Sequence, residues 1–131
     1  MMLIDSNIII YAARLEHGEL RRFIVEHAPA VSAVSYVEVL GYHCLTREER
    51  EYFEEFFDAA HVLELSQAIL DQAVELRQSR KMTLGDALIA GTALVHHLTL
   101  VTRNTEDFAW IENLQLLNPF SEANESNQTE N

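Results

Sequence analysis

Apolar residues in this chain come in short runs that polar residues stop abruptly. Leu3 and Ile4 give way at once to Asp5-Ser6-Asn7. Comparable runs lie at 30–33, 62–65, 98–102 and 114–117. Short runs without alternation are what strands buried on both faces look like. Between them apolar positions recur three and four residues apart and predict helices over 8–13, 19–27, 36–45, 47–59, 67–79 and 87–97. Strand alternating with helix predicts an α/β class: one mostly parallel, five-stranded sheet flanked by helices on both faces. Glycine and proline are too scarce to mark a linker, and no internal repeat is visible, so residues 1–120 read as a single domain. After Phe120 the sequence loses its apolar residues, and 121–131 are expected to form a disordered polar tail.

Composition narrows the class. With 131 residues and 48% hydrophobic content, the chain can bury a core of its own. No apolar run approaches the ~20 residues of a membrane helix. The short apolar stretch at the start has no basic segment ahead of it and is broken by Asp5, which argues against a signal peptide. The single cysteine, Cys44, excludes an intrachain disulfide, and a cytoplasmic protein is the simplest inference. Nine basic against 21 acidic residues give a net charge of −12. Such a surface has no general affinity for phosphate backbones. Handling nucleic acid would require a metal or a local basic patch. A cationic protein partner, by contrast, would be attracted and steered.

The strand ends carry the candidate chemistry. Asp5 follows the first strand. Ser35 and Glu38, in VSAVSYVEV, follow the second with capping-box spacing. Asp86 opens the helix in TLGDALIAGTAL, and Asn104 and Asp107, in LVTRNTEDF, follow the fourth strand. Each of these residues also suits a helix cap or first turn, so each alone has an ordinary structural explanation. The third strand supplies a control, because Leu65-Ser66 leads into a helix that has no acid until Asp71. Capping in this chain therefore does not require a carboxylate. In a parallel sheet these four junctions share the carboxyl edge, where residues from separate units converge. Four carboxylates gathered there would repel one another. No lysine or arginine adjoins Asp5, Glu38 or Asp86, and Arg103 is the nearest candidate. A hard divalent cation, Mg²⁺ or Mn²⁺, is the economical remedy, and such a site suits phosphodiester hydrolysis.

Other features carry less. In REEREYFEEFFD, Tyr52, Phe53, Phe56 and Phe57 form an aromatic stripe among acids. It reads either as core packing or as a dimer or partner surface. The six histidines lack zinc-ligand spacing, and His43-Cys44 has no acid–base partner. A phospho-acceptor signalling domain would need an aspartate where Ser66 stands and a lysine near the last strand, but Lys81 is the sole lysine.

Taken together, LIDSNIII, SAVSYVEVLGY, GDALIAGTAL, LVTRNTEDF and the terminal NPF resemble PIN-domain ribonucleases, in particular the VapC-type toxins of toxin–antitoxin pairs. The resemblance spans residues 2–120 with order and spacing kept. It implies that Asp5, Glu38, Asp86 and Asp107 line one pocket and bind Mg²⁺ or Mn²⁺ for endonucleolytic RNA cleavage. Asp107 matches the most variable of the four positions, and Asn104 can share or replace its role. The resemblance further implies that Ser6, Thr102 and Asn104 hold the acids or the phosphate. It also implies a homodimer formed by helices near the second strand and a basic antitoxin that obstructs the pocket. A solitary PIN nuclease of RNA processing and a non-catalytic PIN-like module are the alternatives. RQSRKM, at 77–82, is a basic cluster just ahead of Asp86 that reads as a solvated helix end or as a guide for RNA phosphates.

Overall fold

The computed structural model describes residues 1–120. Five strands, β1 (Met2–Ile4), β2 (Ala30–Ser32), β3 (Val62–Leu63), β4 (Thr99–Val101) and β5 (Leu116–Leu117), form one sheet ordered β3-β2-β1-β4-β5. Every neighbouring pair is parallel. Six α-helices connect them: α1 (Ser6–Ala12), α2 (Gly18–His27), α3 (Ala33–Leu40), α4 (Arg47–Ala59), α5 (Gln67–Ser79) and α6 (Leu84–His96).

Adjacent strand residues point to opposite faces, so each face builds its own core. Leu3, Ala30 and Leu100 join Leu76, Ile89, Ala90, Ala93 and Phe108 under α5 and α6. Ile4, Val31 and Val101 join Ile8, Ile9, Val39, Phe53 and Phe57 under α1, α3 and α4. This is the doubly wound layout expected from the alternation of strand and helix. Helices α5 and α6 approach closely at Gly91, where an added Cβ would fall 3.1 Å from the Ile69 carbonyl oxygen.

Several local expectations need correction. The helix expected over 36–45 runs from Ala33 to Leu40. Ser32, not Ser35, is its cap: Ser32 is extended and its hydroxyl accepts the Val34 N–H, whereas Ser35 is helical and buried. No capping box therefore links Ser35 to Glu38. Helix α6 likewise begins at Leu84 with Thr83 as cap, which puts Asp86 in the first turn. The aromatic stripe of α4 divides. Phe53 and Phe57 are 2% and 5% exposed and belong to the core, so they cannot form a partner surface; Tyr52 is the most exposed of the four. The expected tail at 121–131 lies outside the described residues. Among the described residues no helix is long and apolar enough to cross a membrane.

Candidate active site

β1 lies at the centre of the sheet with β2 on one side and β4 on the other, so the strand order reverses beside it. Side chains at the carboxyl ends of these strands face a common crevice. Asp5 stands at that point, buried, with its N–H donating to the Val101 carbonyl at 2.9 Å. Its side chain does two things. Oδ1 accepts the Ser6 N–H at 2.8 Å, as a cap for α1, and Oδ2 accepts the Thr102 hydroxyl from the end of β4 at 2.9 Å. The Thr102 oxygen in turn accepts the Asn104 N–H at 3.1 Å.

Ser6 connects the second unit. Its buried hydroxyl lies 2.8 Å from Ser35 Oγ and 2.8 Å from Glu38 Oε1. One hydroxyl donates one proton, so the consistent chain has Ser35 donating to Ser6 and Ser6 donating to Glu38. Ser35 and Glu38 are one helical turn apart on α3 and reach the same side. The carboxylate of Glu38 also borders α6: a Cβ at Gly85 would fall 2.7 Å from Glu38 Oε2. Asp86 follows, half-buried, its N–H donating to the Thr83 hydroxyl at 3.1 Å. Asp107 is exposed on a 3₁₀ turn, Thr105–Asp107, and its carbonyl accepts the Trp110 indole N–H at 3.1 Å.

The electrostatics tie these groups together. Burial raises the Asp5 carboxyl above the usual aspartate range against the pull of its two hydrogen bonds, and the charges of Asp86 and Glu38 push it further up. Asp86 is raised for the same leading reason, with Asp107 and Glu38 adding repulsion and Thr83 opposing. The fold therefore draws Asp5, Glu38 and Asp86 into one cluster, and Asp107 joins it through Asp86. Asn104 contributes through its backbone; it occupies the cap position of the 3₁₀ turn without a side-chain cap bond, and its amide is exposed. Sequence reasoning missed the buried Ser35 hydroxyl and the Thr83 cap. Both share one signal, a hydroxyl three residues ahead of an acid, which the cap reading of Ser35 obscures.

Among the described residues no lysine or arginine forms an ion pair with the cluster. Among the described residues the sole ion pair is Arg47–Glu51 on α4. The Arg103 guanidinium is turned onto the rings of Tyr11 and Phe120, at 5.2 and 4.7 Å from their centroids. Among the described residues no group of three His, Cys, Asp or Glu side chains is placed to hold a metal ion by itself. An open, all-oxygen donor set still fits Mg²⁺, which keeps several waters and commonly takes one or two carboxylates. Asp5, Glu38, Asp86 and Asp107 could supply those donors.

A doubly wound parallel domain with uncompensated carboxylates at its switch point is the class so defined. The chain belongs to the PIN-domain family, whose pattern matches residues 2–113. In fold, the likeness to VapC-type PIN domains read from the sequence motifs is borne out by solved structures. A toxin–antitoxin complex from Klebsiella pneumoniae is 31% identical, with a TM-score of 0.71 over 91% of this chain and 98% of that one. VapBC2 from Rickettsia felis, bound to a promoter DNA fragment, is 22% identical with a TM-score of 0.74 over 89% and 97%. DNA-bound VapBC from Salmonella typhimurium is 18% identical with a TM-score of 0.79 over 91% and 99%. These last two speak for the fold alone. No curated protein matches the chain.

Proposed function

We propose that this chain is the toxin of a toxin–antitoxin pair and cleaves RNA by metal-dependent hydrolysis of phosphodiester bonds, with residues 1–120 as the PIN unit. The observation that carries the reading is the uncompensated cluster of Asp5, Glu38 and Asp86, joined by Asp107. These four carboxylates are the groups assigned to hold Mg²⁺ or Mn²⁺. When bound, such a cation supplies Lewis-acid stabilisation of the charge that builds on the phosphoryl and leaving oxygens.

The chain's own residues do the rest. Thr102 fixes one oxygen of Asp5 and the Ser6 amide fixes the other, so the carboxylate cannot rotate. Ser6 ties up Oε1 of Glu38. Oε2 has no side-chain hydrogen bond among the described residues and is the atom suited to take a proton from the attacking water. A water oxygen forms the new P–O bond, the bond to the leaving ribose oxygen breaks, and that oxygen is protonated from solvent. Ser6, Thr102 and Asn104 are positioning residues in this scheme.

A basic antitoxin is the expected partner. The relative from Klebsiella pneumoniae is a toxin–antitoxin complex, and a net charge of −12 favours a cationic protein. A homodimer belongs to the same reading. Its suggested surface is the apolar groove of Val34, Val37, Leu65, Leu84 and Leu88 beside Glu38, where Val37 and Leu84 are 68% and 58% exposed. The test is incubation of the purified chain with structured RNA and Mn²⁺, with and without EDTA, beside Asp86→Asn. Cleavage should need the metal and fall by orders of magnitude in the variant while circular dichroism stays native. An active Asp86→Asn protein would refute the site assignment.

A further inference from the structure

An acidic nuclease must draw in a polyanion against its own field, and its nine basic residues are few. Several of them are engaged elsewhere. Arg21 donates to the carbonyls of Ala12 and Arg14, and Arg47 pairs with Glu51. Arg14 and Arg103 lie over Tyr11 with their charges kept. The largest concentration of basic residues along the chain is Arg77, Arg80 and Lys81, at the end of α5 and the start of the link to α6. All three are exposed, and among the described residues none makes an ion pair.

Two routes connect this segment to the acid cluster. Arg80 leaves α5 in an extended conformation with its guanidinium 5.3 Å from the Trp110 ring centroid. Trp110 is itself held by its indole N–H on the Asp107 carbonyl. In the other direction, Lys81 stands two residues before Thr83, whose hydroxyl receives the Asp86 N–H. One short basic segment is thus linked to Asp107 through Trp110 and to Asp86 through Thr83. Stacking on an indole costs a guanidinium none of its charge and leaves its edge free for phosphate oxygens.

We propose that Arg77, Arg80 and Lys81, with Arg80 braced on Trp110, bind the phosphates of the RNA strand flanking the bond held at the acid cluster. The proposal rests on the nuclease reading above. It resolves the conflict between substrate and net charge: the strand is gripped beside the carboxylates, not by the surface as a whole. Contacts of this kind position the strand without reading its sequence.

The experiment compares three full-length proteins in Mn²⁺: wild type, Arg80→Gln with Lys81→Gln, and Arg22→Gln with Arg50→Gln. The last makes the same charge change on α2 and α4. Each is assayed on a single-stranded RNA and on bis(p-nitrophenyl) phosphate, a diester too small to reach the basic segment. The 80/81 variant should raise KM for RNA about tenfold with kcat within about twofold of wild type. Its plot of log(kcat/KM) against log[salt] should flatten by about 0.7 for each phosphate the variant no longer neutralises. Turnover of the small diester should not change, and the 22/50 variant should match wild type on both substrates. An unchanged KM and salt slope in the 80/81 variant overturns the proposal, and so does an equal loss in the 22/50 variant, which would reduce the effect to net charge. Failure of wild type to cleave either substrate would instead remove the nuclease reading, and this inference with it.

Discussion

Replacing Asp5 by Asn separates a cap from a metal ligand. Asp5 is 5% exposed, and burial is the main reason its carboxyl titrates high, with the charges of Asp86 and Glu38 adding to it. A group whose folded pKa is raised contributes stability below its unfolded pKa and loses it as pH rises through the folded value. Without metal, ionisation of Asp5 is therefore a net cost to the fold. Asn removes the charge and keeps an oxygen for the Ser6 N–H. Its NH₂ can donate to Thr102 Oγ1, at the expense of a charge-assisted hydrogen bond for a neutral one, a difference of about 1 kcal/mol. Relief of burial and repulsion opposes that loss, so the metal-free variant should melt at or above metal-free wild type. Metal acts in the opposite sense. A cation that binds only the folded state stabilises it by about 2.7 kcal/mol at a hundredfold excess over Kd. With an unfolding entropy of about 2.1 cal/mol/K per residue, that raises Tm by about 10 °C for a domain of this size. Four thermal melts in EDTA or Mn²⁺ read the result. Wild type should gain most of this rise and Asp5→Asn little of it. Lowering the pH of the metal-free proteins toward the aspartate range should stabilise wild type more than the variant, relative to their neutral-pH values. A metal-free variant melting several degrees below wild type, with an undiminished Mn²⁺ shift, would show that Asp5 is structural only.

Three further substitutions test the surrounding logic. Ser66→Ala removes the cap of α5 and should cost about 1 kcal/mol in urea denaturation with turnover unchanged. Phe53→Ala should cost about 3–5 kcal/mol by the same measurement, because its ring is buried in the core under α4; a loss below about 1 kcal/mol would return it to the surface. Gly85→Ala should keep stability or raise it by up to about 1 kcal/mol through helix propensity. Its methyl displaces Glu38 Oε2, however, so RNA cleavage should fall; full activity would remove Glu38 from the chemistry.

The sheet and the two long helices α4 and α5 were legible because their signals are local and redundant. Arg47–Ala59 and Gln67–Ser79 begin and end where periodicity and flanking residues say they should. The start of α3 was not legible, because Ser32 and Ser35 are both good caps one turn apart. The choice depends on where β2 stops pairing, which the partner strands decide. The split of the α4 stripe was hidden for a similar reason: four rings within six positions cannot all face one core, and the packing of α3 selects Phe53 and Phe57. Within the site, Asp5, Glu38 and Asp107 could be read from the segments that follow strands, and Asp86 from the helix that it helps to open. The Ser35–Ser6–Glu38 chain could not, because it joins residues about thirty positions apart through hydrogen bonds that exist only after β1 and β2 pair.

The caps themselves bear on what Asp5 is for. Side chains cap α1, α3, α4, α5 and α6, and the residues are Asp5, Ser32, Thr46, Ser66 and Thr83. Four are hydroxyls, and the exception is a carboxylate in a buried position. Serine or asparagine caps a helix about as well as aspartate. Capping alone therefore does not account for an ionisable group where burial opposes its charge. The second oxygen of Asp5 has a role that no cap requires: it is held from across the sheet by Thr102, whose own oxygen fixes the Asn104 backbone. That bond fixes the carboxylate's orientation while the pull of burial and of Asp86 is toward protonation. Only a positive ligand at the strand ends turns those costs into affinity. In the proposed site the same charges that oppose one another would serve to hold a cation, and the hydroxyl chain from Ser35 through Ser6 to Glu38 keeps a further carboxylate beside Asp5.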